Sequence, residues 1–192
     1  MNIVIDNDIW CELEVEGSIC KYKFFLLNIP CYIGGHKKTG DQLDNYWENN
    51  WRQVPPEVIE GVIICDSNED AEVCAASIER LIRSGYEINQ GGWLIGMDMA
   101  DVFMQFNGEP MSFLHESFEN HYDDQGLMQI QKKIKNACHV FYLFLFPEDN
   151  VLTGSDEIDI AYDKVLPDVD AEIFWQISLP NECQRSVSVW YR

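Results

Sequence analysis

The chain has 192 residues, 33 acids against 13 Lys and Arg for a formal net charge of −20, and 46% hydrophobic residues that include six Trp, eight Tyr and ten Phe. Such a field repels nucleic acid and anionic membrane surfaces and speeds encounter with cationic partners. The aromatic content supplies a core and excludes an intrinsically disordered chain.

The length fits one domain over residues 1–192. The longest apolar run, Cys138–Phe146, is nine residues, too short to cross a bilayer and suited to a central strand. The start, Met1-Asn2-Ile3-Val4-Ile5-Asp6, lacks the basic and apolar regions of a signal peptide, so a soluble, cytoplasmic protein is expected. Seven cysteines, with no C-x-x-C pair and no zinc spacing, fall largely in apolar runs and read as reduced structural thiols.

In chain order, Asn2–Ile5 and Ile9–Val15 read as strands around an Asp6-Asn7-Asp8 turn. In the second, Cys11, Leu13 and Val15 alternate with Glu12, Glu14 and Glu16, which places Trp10 on the carboxylate side. Cys20–Ile29 reads as a third strand, with Lys21 and Lys23 facing Glu12 or Glu14 across it. Gly34–Gly40 is turn-rich but lacks the P-loop spacing, and Asp41–Arg52 reads as a short helix stopped by Pro55-Pro56.

Val58–Cys65 is β-branched and apolar, a buried strand. Ser67 is an N-cap residue with Asp70 three positions on, and a helix is expected over Ser67–Ser84, closed by Gly85 and followed by a strand at Trp93–Gly96. Val102–Phe106 reads as a strand ending in an Asn107-Gly108 turn, and Pro110 as the opening of a helix through Met111, Phe113, Leu114 and Phe118. Leu127–Ala137 reads as a further helix. Glu172–Leu179 and Val187–Tyr191 read as the final strands. The class this predicts is α+β: a mainly antiparallel or mixed sheet with two to four helices packed against it.

Catalytic motifs are absent. There is no G-x-S-x-G, kinase set, Rossmann glycine pattern or H-E-x-x-H. His115 and Glu119 on a helix would be one turn apart but read as a polar face, and the calcium-loop spacing is missing at Asp156–Asp159. A Cys–His dyad drawn from Cys65 or Cys138 with His115 or His139 would use a cysteine expected to be unexposed. Neither enzymatic activity nor a cofactor or metal is expected.

Charge supplies the functional expectation. Between Pro147 and Glu172 nine acids are answered only by Lys164. Asp156, Glu157, Asp159, Asp163, Asp168 and Asp170, with Tyr162 and Trp175 as apolar anchors, form the expected partner-binding segment, and Trp10 and Phe174 are further candidate anchors. In size, α/β pattern and acidic segments such as Glu148–Glu172, the chain resembles the bacterial immunity proteins of contact-dependent inhibition and other polymorphic toxin systems. That resemblance implies a tight one-to-one complex with a cognate basic toxin domain, a nuclease being one such partner. The alternatives are a DNA-mimic inhibitor of a DNA-binding protein, which needs carboxylates spaced like duplex phosphates, an enzyme of unassigned class, and a scaffold subunit, which needs a large apolar patch.

Overall fold

The computed structural model describes residues 1–26, 30–32, 51–53, 57–89, 99–119, 124–145, 163–165, 171–178 and 184–192. One mixed sheet of eight strands organises them, in the order β1-β2-β3-β6-β7-β10-β8-β9. Its strands are β1 (Asn2–Ile5), β2 (Asp8–Glu16), β3 (Ile19–Phe25), β6 (Val58–Ile64), β7 (Met111–Phe118), β8 (His139–Leu145), β9 (Glu172–Ser178) and β10 (Arg185–Tyr191). Two short strands, β4 (Pro30–Tyr32) and β5 (Trp51–Gln53), pair separately. The α+β class with helices on a mixed sheet is thus the fold adopted.

The amino-terminal half is an antiparallel meander. β2 pairs with β3 so that Glu12 faces Lys23 and Glu14 faces Lys21, and β3 then pairs with β6. The inward residues Cys11, Leu13, Cys20, Tyr22, Phe24, Ile59 and Ile63 are buried. Trp10 does not follow the alternation. The β1–β2 register steps from Ile3↔Cys11 to Val4↔Ile9, leaving Trp10 as the extra residue of a bulge. The bulge turns the indole into the core, where it is 3% exposed, and so Trp10 is removed from the carboxylate face.

Helix α1 (Asn68–Asn89) follows β6. Ser67 caps it: the Asp70 amide donates to Ser67 Oγ at 3.1 Å, and the Ser67 hydroxyl donates to Asp70 Oδ2 at 2.8 Å. Replacing Ser67 by alanine should cost about 1 kcal/mol in denaturant unfolding. An unchanged midpoint would mean that the cap is dispensable. Ala71, Cys74, Ala75, Ile78, Leu81 and Ile82 form the buried stripe. Gly85 does not end the helix, which runs on to Asn89. A single glycine costs only about 1 kcal/mol in a helix, and the packed stripe upstream offsets it.

The next two elements exchange the types expected of them. Met99–Phe106 is helix α2, not a strand: Val102, Phe103 and Phe106 are buried while Met104 is exposed, which is helical spacing. Met111–Phe118 is strand β7, not a helix. Met111 and Phe113 join the core under α1 and α2, and Leu114 and Phe118 join the core under helix α3 (Asp124–Ile134). The turn at Asn107-Gly108 forms as expected, with Gly108 at φ +81°. The parallel partner of β6 is β7, paired at Ile63↔Met111 and Ile64↔Ser112. The strand expected at Trp93–Gly96 lies outside the described residues. So do Gly34–Gly40 and the body of the helix expected over Asp41–Arg52, whose last two residues fall in β5.

The two faces of the sheet are covered unequally. α1 and α2 cover one face, and α3 covers the other at β7, β10 and β8. In β8 the residues Phe141, Leu143 and Leu145 serve the first core and Val140, Tyr142 and Phe144 the second, so the strand is buried throughout. Over β2, β3 and β6 the second face carries Glu12, Glu14, Lys21, Lys23 and Glu60 around a shallow hollow of about 580 Å³. No helix among the described residues is long and apolar enough to cross a membrane.

Candidate functional site

A cleft of about 160 Å³ opens where the carboxyl end of β6 passes into α1, against β7 and α3. Parallel neighbours such as β6 and β7 leave a crevice at their carboxyl ends, a common place for ligands. Asp66 comes from the segment between β6 and α1, Asp70 from the first turn of α1, His115 and Glu116 from β7, and Gln129 and Lys133 from α3. Phe113, Leu114 and Ile130, all buried, complete its lining.

Carboxylates dominate this cleft. Lys133 Nζ donates to Asp66 Oδ2 at 2.5 Å, and that bond holds its ammonium above the ordinary lysine range. Asp70 is engaged by the cap. His115 is half-buried, and burial is the main reason its ring stays below the ordinary histidine range. The charge of Arg80 acts in the same direction and that of Asp70 opposes it. The ring is bonded at both nitrogens: Nδ1 lies 2.9 Å from Ser188 Oγ and Nε2 lies 3.0 Å from Ser117 Oγ. Ser188 in turn lies 2.9 Å from Ser77 Oγ of α1.

Elsewhere among the described residues, several acids meet a cation of the same chain. Lys21 pairs with Glu14 at 3.5 Å and Glu16 at 2.5 Å, and Lys23 with Glu60 at 3.1 Å, so Glu14 and Glu16 of the β2 row are tied into cross-strand pairs while Lys23 turns to β6. Arg83 meets Glu79 at 2.9 Å and Arg192 meets Glu109 at 3.3 Å. A wider hollow of about 730 Å³ over α3 is lined by Met128, Gln125 and Lys132 among others.

Of the residues expected to bind a partner, Asp163 is exposed in a helical turn at 163–165. That turn is fixed from both sides: Lys164 pairs with Asp124, and the Val165 carbonyl accepts a 2.8 Å bond from the Tyr142 hydroxyl. Trp175 lies in β9 in register with Tyr142, and Phe174 with Phe141. Asp156, Glu157, Asp159, Tyr162, Asp168 and Asp170 lie outside the described residues. Trp10, as a buried bulge residue, is not available as an anchor.

Two further expectations change. Cys138 is exposed, because it stands in the bend before β8 and not within the strand; its thiol donates to the Arg192 carbonyl at 3.4 Å. His115 and Glu119 share no helix, since His115 is in β7 and Glu119 follows its end. Among the described residues no group of three His, Cys, Asp or Glu side chains is arranged to hold a metal ion. The Ser77–Ser188–His115–Ser117 chain was not foreseen. Its only sequence trace is His-x-Ser at 115–117 and Ser-x-Ser at 186–188, which carries meaning only once both segments are strands.

Neither a family model nor a curated protein matches the chain. Among solved structures it is similar to a tryptophan-to-tyrosine mutant of FtsZ from M. jannaschii, at 19% identity and a TM-score of 0.43 over 63% of this chain and 37% of that one. It is similar also to an empty FtsZ dimer from M. jannaschii, at 17% identity and a TM-score of 0.43 over 64% and 38%. The chain spans less than two fifths of the length of these neighbours.

Proposed function

We propose that the chain is an acidic binding protein that captures a cationic protein partner, with neutralisation of a basic toxin domain as its role. The observation that carries this reading is the charge balance combined with the pairing. Acids exceed Lys and Arg by twenty, and Lys21, Lys23, Arg83, Lys133, Lys164 and Arg192 are each committed to an acid of the same chain. Surplus carboxylates of this number have no cation of their own to meet. A partner rich in Lys and Arg would offset their mutual repulsion, and their field would steer it into contact.

The experiment is capture with the tagged chain from its native cells, at low and at high salt, read by mass spectrometry. A single basic protein recovered in stoichiometric amount at low salt supports the reading. Recovery of no basic protein at either salt rejects it. With that partner in hand, charge reversal at Asp156, Glu157 and Asp159 should slow association about 10-fold at low salt, and much less at high salt where exposed charges are screened. Equal association rates for the variant and the native chain would take this segment out of the interface.

A further inference from the structure

We infer that Ser117 and His115 form a nucleophile–base pair, positioned by Ser188 and Ser77, which hydrolyses small cationic esters whose cationic end is held in the adjoining cleft that His115 lines with Asp66, Asp70 and Glu116. This inference is independent of the binding role proposed above.

Geometry carries it. A nucleophile is recognised by a base within hydrogen-bond reach and a third group that orients the base. Here Ser117 is exposed and its Oγ is 3.0 Å from His115 Nε2. On the other side of the ring, Nδ1 is 2.9 Å from Ser188 Oγ, which is 2.9 Å from Ser77 Oγ. Ser188 is 0% and Ser77 2% exposed, so the inner end of the chain is anchored in the core from two elements besides β7. Buried hydroxyls must be bonded. Of the two directions that satisfy these hydroxyls, the pair uses the tautomer in which Nδ1 donates to Ser188 and Ser188 donates to Ser77. The Nε2 lone pair then faces the Ser117 hydroxyl. Burial favours the neutral ring, the form able to accept a proton. Asp70, on the cap of α1, supplies a negative charge that favours the imidazolium formed during reaction, against the larger opposing charge of Arg80.

The chemistry closes without a further reagent. Ser117 Oγ forms a bond to the ester carbonyl carbon as its proton passes to His115 Nε2. The tetrahedral intermediate collapses by breaking the bond to the alcohol oxygen, which takes the proton from Nε2. Water then attacks the acyl carbon and gives one proton to Nε2. Release of the carboxylic acid breaks the Oγ–acyl bond, and the proton returns to Oγ. No electron transfer occurs and one water is consumed per ester.

The cleft selects the substrate. His115 lines it together with three carboxylates, and its one lysine is paired with Asp66. A space of about 160 Å³ admits a small group, and the surrounding field favours a cation such as a quaternary ammonium.

The test uses the full chain with a fluorophosphonate probe, and then acetylthiocholine beside phenyl acetate. One adduct per chain, mapped to Ser117 and lost in Ser117→Ala, is expected. His115→Gln should slow labelling by about 100-fold or more. Labelling of the native chain should rise with pH through a midpoint below the ordinary histidine value, and Ser188→Ala should shift that midpoint, which loss of a purely structural contact would not do. Labelling scattered over other serines, an unaltered rate in His115→Gln, or a flat pH profile would overturn the pair. Should His115→Gln fail to fold, Ser117→Ala and the native pH profile decide. Equal turnover of the neutral and the cationic ester would overturn the substrate assignment.

Discussion

Trp190→Ala should lower the free energy of unfolding by about 3–5 kcal/mol. At about 2–4 °C per kcal/mol for a chain of this size, the midpoint of thermal unfolding should fall by roughly 6–20 °C. Trp190 is 0% exposed and lies on β10, the strand between β7 and β8. Its indole meets Phe113 of β7 at 5.4 Å between ring centroids, Phe106 of α2 at 5.6 Å and Phe141 of β8 at 5.7 Å. One side chain therefore joins three elements that come from separate parts of the chain. Truncation leaves a cavity whose walls are aromatic rings held in two strands and a packed helix, which cannot collapse to fill it. The comparison is Tyr191→Ala, on the opposite face of the same strand and only half-buried, which should cost markedly less. Chemical denaturation of the two variants checks this, and a loss for Trp190→Ala no larger than for Tyr191→Ala would show that the aromatic junction does not bear on stability.

That junction also shows where the sequence was legible. A half-buried strand declares itself by alternation, and β2 and β3 do so through Cys11, Leu13, Tyr22 and Phe24 against Glu12, Glu14, Lys21 and Lys23. The passage from β6 to α1 was legible through local chemistry, a β-branched run followed by the Ser67 cap. Strand β7 was not. Met111, Phe113, Leu114 and Phe118 are apolar at spacings that a helix face also produces, because β7 is buried on both sides and serves two cores at once. Val102–Phe106 erred in the opposite direction: its residue types favour a strand, but packing against Phe24 and Trp190 selects a helix. Trp10 was misplaced because a bulge adds one residue to one strand, and no composition signal marks it.

The candidate site was hidden for the same reason. His115 and Ser117 share a face only in a strand, and reading the segment as a helix separated them. Ser77 and Ser188 meet across a separation of 111 residues, so no local pattern announces their contact. Charge behaved differently. The excess of acids was plain from composition, yet the lysines opposite Glu12 and Glu14 could be read only as one possible pairing, and the structure ties them to Glu14, Glu16 and Glu60.

Gly61→Ala should destabilise the fold by about 2–4 kcal/mol, even though alanine is the smaller change at a strand position that ordinarily favours a side chain. Gly61 of β6 stands opposite Tyr22 of β3, and the tyrosine ring lies across it. A Cβ at this position would come 2.3 Å from the Tyr22 hydroxyl oxygen and 2.6 Å from Cζ. The ring has little freedom to yield. Its hydroxyl donates to the Phe106 carbonyl at 3.0 Å and accepts from the Gly108 amide at 3.2 Å. Its face stacks on Phe24 at 4.8 Å, and its edge meets Phe106 at 5.4 Å. Burial pushes the hydroxyl up to about 12, so it remains a donor through the neutral range. An alanine at 61 must therefore either strain the strand pair or break the bonds that hold the turn after α2. A double-mutant cycle separates this from a loss of general strand quality. In a Tyr22→Ala background the clash is gone, and Gly61→Ala should be neutral or stabilising by up to about 1 kcal/mol through reduced chain entropy. An equal penalty in both backgrounds would place the cost in the β6 backbone and not in the tyrosine that covers it.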